Sequence, residues 1–157
     1  FKLLTVPTYF VLYFVLYLLL KGVVFMTVEH IGFTVSSPKE MAKWYEENLG
    51  FVIQFEGGNE KDGMVFISDE SRSTILELLK SSETLPINEL INHSDQLHIA
   101  IKSEDPYADK EKLLAAGASY VGEKIISNCK DILIMLKDPW GNYLQIAKRE
   151  DKNKFNK

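Results

Sequence analysis

With one cysteine, Cys129, the chain can form no intrachain disulfide, so its fold must rest on buried apolar surface. That usage suits a reducing, cytoplasmic setting. Cys129 follows Ser127-Asn128 in an expected turn with no base beside it in sequence, and it reads as a bystander thiol. Concentrated positive charge is missing too: 18 basic residues stand against 22 acidic ones, for a net charge of −4. No basic stripe is interleaved with aromatics, which excludes the usual nucleic-acid surface. Arginine is scarce, limited to Arg72 and Arg149. The closing residues 151–157 mix charge and read as a solvated tail.

What remains is ordinary globular composition, 46% hydrophobic and 25% charged. The 157 residues suffice for one domain, or for two small modules sharing a core.

The first 25 residues differ from the rest. Leu3 to Leu20 is almost wholly apolar, flanked by Lys2 and Lys21, and reaches the lower length limit for a membrane span. No small-residue cleavage motif follows, so one reading is an uncleaved anchor. A plainer one is preferred here. The chain opens on Phe1, and a globular pattern begins abruptly at Met26. Lys21-Gly22-Val23 can be encoded as AAA-GGA-GTN, which holds a ribosome-binding sequence just before an ATG. Residues 1–25 are therefore expected to be upstream sequence read through, with the globular domain at 26–150 and no membrane association.

That domain repeats itself. His30-Ile31-Gly32-Phe33 recurs as His98-Ile99-Ala100-Ile101, an offset of 68 residues, and Ile75-Leu76-Glu77-Leu78 recurs as Tyr143-Leu144-Gln145-Ile146 at the same offset. Each copy reads as a strand, a helix and three strands. In the first copy (residues 27–80), Val28–Val35 alternates as a strand. Ser37-Pro38-Lys39-Glu40 has the form of a capping box with proline at the first helical position, and Gly50 ends the helix. Strands are expected at Phe51–Glu56, Met64–Ser68 and Thr74–Leu79. Residues 81–95, with Pro86, link the copies. In the second (96–149), Gln96–Lys102 is a strand, Asp105-Pro106 opens a helix that stops at Gly117, and strands follow near Ser119–Val121, Ile132–Lys137 and Asn142–Lys148. The fold class is α+β: two βαβββ modules forming a curved mixed sheet around a cavity.

Side chains alternate along strands, so faces can be read off directly. Ile31, Phe33 and Val35 face the helix, as do Leu97, Ile99 and Ile101, and Leu144 and Ile146. His30, Gly32 and Thr34 then oppose it, with Glu77, with Gln96, His98 and Ala100, and with Tyr143, Gln145 and Ala147. Polar groups on a dry face are costly unless paired or bound to a metal, and Gly32, Ala100 and Ala147 leave room beside them. A lone strand histidine is ordinarily just a hydrogen-bonded residue, and Glu77 alone could be a salt-bridge partner. The shared face and shared offset are what single out His30, Glu77, His98 and Gln145. Two imidazoles, a carboxylate and an amide oxygen suit one divalent metal ion: nickel, zinc, cobalt, manganese or iron. His93, in the linker, reads as solvent-exposed. Thr34 and Tyr143 are open between pocket lining and packing.

The segment HIGFTVSSPKEMAKWYEENLGF resembles the opening of vicinal-oxygen-chelate proteins (the glyoxalase/bleomycin-resistance/dioxygenase superfamily). TILELL resembles their fourth strand, QLHIAI their fifth, and KDPWGNYLQIAK their closing D-P-x-G-N-x-x-E motif. The likeness spans about residues 27 to 149 and is nearest to glyoxalase I (lactoylglutathione lyase). It implies a homodimer, a small oxygen-chelating substrate, metal ligands at His30, Glu77, His98 and Gln145, and isomerase or lyase chemistry through an enediolate. Gln145 departs from the family's usual Glu, and an amide cannot take a proton. Glu77 is then the catalytic base. The same departure weighs against dioxygenase and fosfomycin-modifying activities, while epimerases of the fold mix Gln and Glu. Bleomycin-resistance-type members bind drugs without catalysis and form the alternative from another class. With only two arginines to clamp its carboxylates, a glutathione adduct is not favoured.

Overall fold

The computed structural model describes residues 12–13 and 26–151. The expectation for residues 1–25 therefore lies almost wholly outside the described residues. Among the described residues no helix is long and apolar enough to cross a membrane.

Among the described residues from 26 onward, the elements follow in the order β1 (Ile31–Thr34), α1 (Pro38–Leu49), β2 (Val52–Gly58), β3 (Gly63–Ser68), β4 (Ile75–Leu79), α2 (Ile87–Leu90), β5 (Ile99–Lys102), α3 (Pro106–Ala115), β6 (Ser119–Ile126), β7 (Asp131–Lys137) and β8 (Tyr143–Lys148). They form two four-stranded sheets ordered β1-β4-β3-β2 and β5-β8-β7-β6. Each has one parallel pair and two antiparallel pairs. This is the paired βαβββ architecture read from the repeat. The two parallel pairs even share a register: Gly32 faces Glu77, and Ala100 faces Gln145.

Local chemistry sets the element ends. Pro38 starts α1, where its missing N–H costs nothing, and Gly50 ends it in the left-handed conformation with φ 74°. The expected capping box is not formed. Ser37 makes no side-chain cap bond, and the Met41 N–H goes to its backbone carbonyl instead. At the matching point of α3, the Asp105 side chain does accept from the Ala108 N–H. Asp138 organises the turn before β8 by accepting from the Trp140 and Asn142 N–H groups.

The first strand of each module is shorter than its alternation suggests. β1 and β5 begin only at Ile31 and Ile99, where pairing with Leu76 of β4 and Leu144 of β8 starts. Upstream, Val28 is exposed. Ile31 and Leu97, expected to pack toward the helices, are 53% and 42% exposed and so do not. The one-turn helix α2 in the linker was also not anticipated, since four residues carry no readable period.

The two modules share one core. Tyr45, Met41, Val65, Ile67 and Leu78 from the first meet Leu113, Ile134, Leu136, Leu144 and Ile146 from the second. Polar contacts cross the same boundary. The Tyr45 hydroxyl donates to Asp138 Oδ2 at 3.0 Å, the Trp44 indole to the Ala116 carbonyl at 2.8 Å, and Lys112 to the Asn48 carbonyl at 2.8 Å. Each sheet thus commits its helix-bearing face to the shared interior.

Candidate functional site

On the other face of the first sheet, registers line up four residues across all strands. Gly32 on β1 lies opposite Glu77 on β4, Glu77 opposite Phe66 on β3, and Phe66 opposite Phe55 on β2. His30 precedes β1 by one residue and joins this row from its end. Its Nε2 lies 3.2 Å from Glu77 Oε2, and its ring meets Phe66 edge-on at 5.4 Å. Gly32 makes the arrangement possible, because a Cβ there would stand 2.8 Å from Glu77 Oε2.

Each candidate histidine is oriented by an oxygen. His30 Nδ1 contacts the Glu29 carboxylate, and His98 Nδ1 lies 2.8 Å from the Ser94 carbonyl. His30 Nε2 faces the Glu77 carboxylate, and in both rings Nδ1 donates, since both oxygens accept. This is the tie that fixes the tautomer of a metal-ligating histidine. Without an ion, the His30 imidazole is held above its ordinary protonation range, first by its bond to Glu29 and further by the charges of Glu29 and Glu77, against a lowering by burial.

The donors fit a divalent ion in kind: imidazole nitrogen, carboxylate oxygen and, at Gln145, amide oxygen. Their grouping is incomplete. His30 and Glu77 come together, whereas among the described residues no set of three or more His, Cys, Asp or Glu lies close enough to hold an ion. His98 and Gln145 occupy the equivalent positions of the second sheet. His98 opens into a cavity of about 470 Å³ between the β1 and β5 edges, lined also by Phe33, Leu76, Leu97, Ile99 and Tyr143.

Two hydroxyls left open by the sequence turn out to hold the linker. Thr34 donates to the Leu85 carbonyl at 2.8 Å and Tyr143 to the Asn92 carbonyl at 3.1 Å. Tyr143 lines the cavity as well. Arg149 is engaged with buried Asp131 at 2.8 Å, so it is a structural cation rather than a clamp. Arg72 sits exposed in the β3–β4 turn with φ 58°. His93 is exposed, as expected, and lies 3.6 Å from Asp95.

Phe55 and Phe66 are the site residues that sequence reading missed. Their rings tilt together at 6.2 Å, and Phe55 is 57% exposed. Strict alternation from Phe51 and Ile53 would send Phe55 into the core. A bulge between Ile53 and Phe55 turns it to the opposite face.

Paired βαβββ modules, each with a histidine oriented at the start of its first strand, define the class of fold. Residues 27–146 match the Glyoxalase/Bleomycin resistance protein/Dioxygenase superfamily, and the chain belongs to it. No curated protein matches the chain. Among solved structures it resembles a glyoxalase family protein from Enterococcus faecalis (19% identity, TM-score 0.61), with 78% of this chain and 98% of that one aligned. It also resembles the trypanothione-dependent glyoxalase I of Leishmania major (23%, 0.59, covering 79% and 87%). A third is TnmS3, an antibiotic binding protein from Streptomyces sp. CB03234 (23%, 0.55, covering 80% and 99%). Identities this low speak to the fold alone.

Proposed function

We propose that the protein is a metal-dependent glyoxalase-type isomerase or lyase acting on a small substrate with adjacent oxygens. It works as a homodimer, in which His30 and Glu77 of one copy and His98 and Gln145 of the other hold one divalent ion. The observation that carries this reading is the pair of equivalent half-sites, each with an imidazole tied to an oxygen at Nδ1, one of them beside the Glu77 carboxylate. Neither half supplies a third donor of its own, and exposed Ile31 and Leu97 leave apolar strand starts for a second copy to cover.

The bound ion would supply Lewis acidity to two substrate oxygens. The chain's own residues do the rest. Glu77 is the carboxylate of the set and accepts the proton that leaves carbon; Gln145 can only donate or ligate. Glu29 holds His30 at Nδ1, which leaves Nε2, beside Glu77, as the nitrogen that would face the ion. A second reading, sequestration of a small molecule without catalysis, draws on the lack of a three-donor group within the described chain.

Elemental analysis of the full-length protein separates the two readings. About one metal per chain, lost in both His30→Ala and Glu77→Ala, supports the enzyme. No metal, and no uptake of nickel, zinc, cobalt, manganese or ferrous iron, leaves the binder. Mixing then tests the dimer: a His30→Ala/Glu77→Ala chain and a His98→Ala/Gln145→Ala chain, each empty alone, regain one metal per heterodimer. A site built within one chain would regain none.

A further inference from the structure

The row across the first sheet does more than hold a carboxylate. From Glu77 it continues directly into two aromatic rings, Phe66 and then Phe55. Phe66 contacts the His30 ring, Phe55 contacts Phe66, and Phe55 remains 57% exposed. Gly57, two residues on, keeps this ring low against the sheet: a Cβ at that position would lie 2.8 Å from Phe55 Cε1. The polar pair and the aromatic surface therefore form one continuous strip.

The second module carries the same frame with different side chains. Its row runs Ala100, Gln145, Met135, Gly122, with no ring in it. A bulge between Tyr120 and Gly122 matches the one in β2, yet it brings a glycine to the position that Phe55 fills in module one. Space over Gly122 is open, with no heavy atom within 4 Å of where a Cβ would stand. The aromatic strip is thus a property of one half-site, not a consequence of the fold. No lysine or arginine stands in the row beyond Glu77, where the ring of a ligand would lie.

We infer that the ligand of this site carries a flat, uncharged aromatic ring that lies on Phe55 and Phe66 while its adjacent oxygens reach the ion that His30 and Glu77 would hold. Aromatic rings favour offset or edge-on contact at centroid separations of roughly 4.5–7 Å, and the exposed side of Phe55 is free to make it. The inference rests on the reading of His30 and Glu77 as the polar end of the site.

Two hydroxamates that share the chelating oxygens and differ only in the ring test this. Binding of benzohydroxamate and acetohydroxamate to the metal-loaded full-length protein is measured by calorimetry, in wild type, Phe55→Leu and Phe66→Leu. The expected result is a preference for benzohydroxamate of about tenfold or more, falling to within about twofold in Phe55→Leu while acetohydroxamate affinity holds. Leucine keeps the apolar bulk and removes only the ring, and Phe55 is exposed, so the variant keeps its fold. Equal affinities in wild type, a preference that survives both substitutions, or no benzohydroxamate binding would each overturn the inference. Failure of the metal reading looks different: benzohydroxamate would keep its Phe55-dependent binding, acetohydroxamate would not bind, and elemental analysis would find no ion.

Discussion

Gly32 lies directly across the parallel β1–β4 pair from Glu77, and a methyl group at position 32 would stand 2.8 Å from the Glu77 Oε2 oxygen. No ordinary Cβ contact is that short, so a side chain there must move the carboxylate away from His30. Gly32→Ala is expected to weaken metal uptake by about 10–100-fold, the range seen when a group that orients a ligand is lost. Competition with a fluorescent chelator measures it. Unchanged uptake would show that Glu77 needs no help from position 32. Gly32 is not left-handed, so the substitution adds no backbone strain.

At the proposed site, proton and metal would compete for His30. Its protonation range is raised, chiefly by the bond to Glu29, so the charged imidazole persists to higher pH than in the unfolded chain. The sign follows: the charged His30–Glu29–Glu77 group favours the folded state fully below about pH 6.5, the unfolded value, and that contribution fades as pH rises through the raised folded value. Metal uptake by the proposed site is expected to run the other way, lost as pH falls. In Glu29→Gln the imidazole titration, followed by NMR on metal-free protein, is expected to move down, and half-maximal metal uptake should shift to lower pH with it. A titration indifferent to Glu29 would remove that residue from the account.

Tyr45 joins the modules through its bond to Asp138. Burial pushes its hydroxyl well above the ordinary tyrosine range, and the Asp138 charge adds to the shift, so the phenol stays protonated and donating. Tyr45→Phe leaves the Asp138 oxygen short of a donor in a buried place. The expected loss is about 1–3 kcal/mol of stability, read by urea unfolding. Asp138 keeps its bonds from Trp140 and Asn142, so the turn itself should hold. A cost below a few tenths of a kcal/mol would mean that Tyr45 merely fills space.

The repeat made the architecture legible because offset and alternation both survive in the residues. His30 and His98, Glu77 and Gln145 fall at matched places: the histidines each stand one residue before a first strand, and Glu77 and Gln145 share a register. Two kinds of feature stayed hidden. Alternation assumes an unbroken pleat, and the bulge between Ile53 and Phe55 breaks it, so the Phe55 ring changes face with no composition change to announce it. Exposure of Ile31 and Leu97 is equally silent in sequence, since an apolar residue at a strand start looks the same whether its own helix or another surface covers it. The turn at Asp138 was readable because its residues are dictated by local geometry, including Gly141 at φ 89°.

The duplicated frame has a stereochemical consequence. Two identical halves would present a flat molecule with two equal orientations, related by the axis between them. Here one half bears Glu77 and the Phe66–Phe55 strip, and the other bears Gln145, Met135 and bare Gly122. In the proposed reaction a substrate has one way to lie, and its proton leaves toward one side. In that reading the handedness of the product follows from the difference between positions 77 and 145, with the aromatic strip holding the substrate to one orientation.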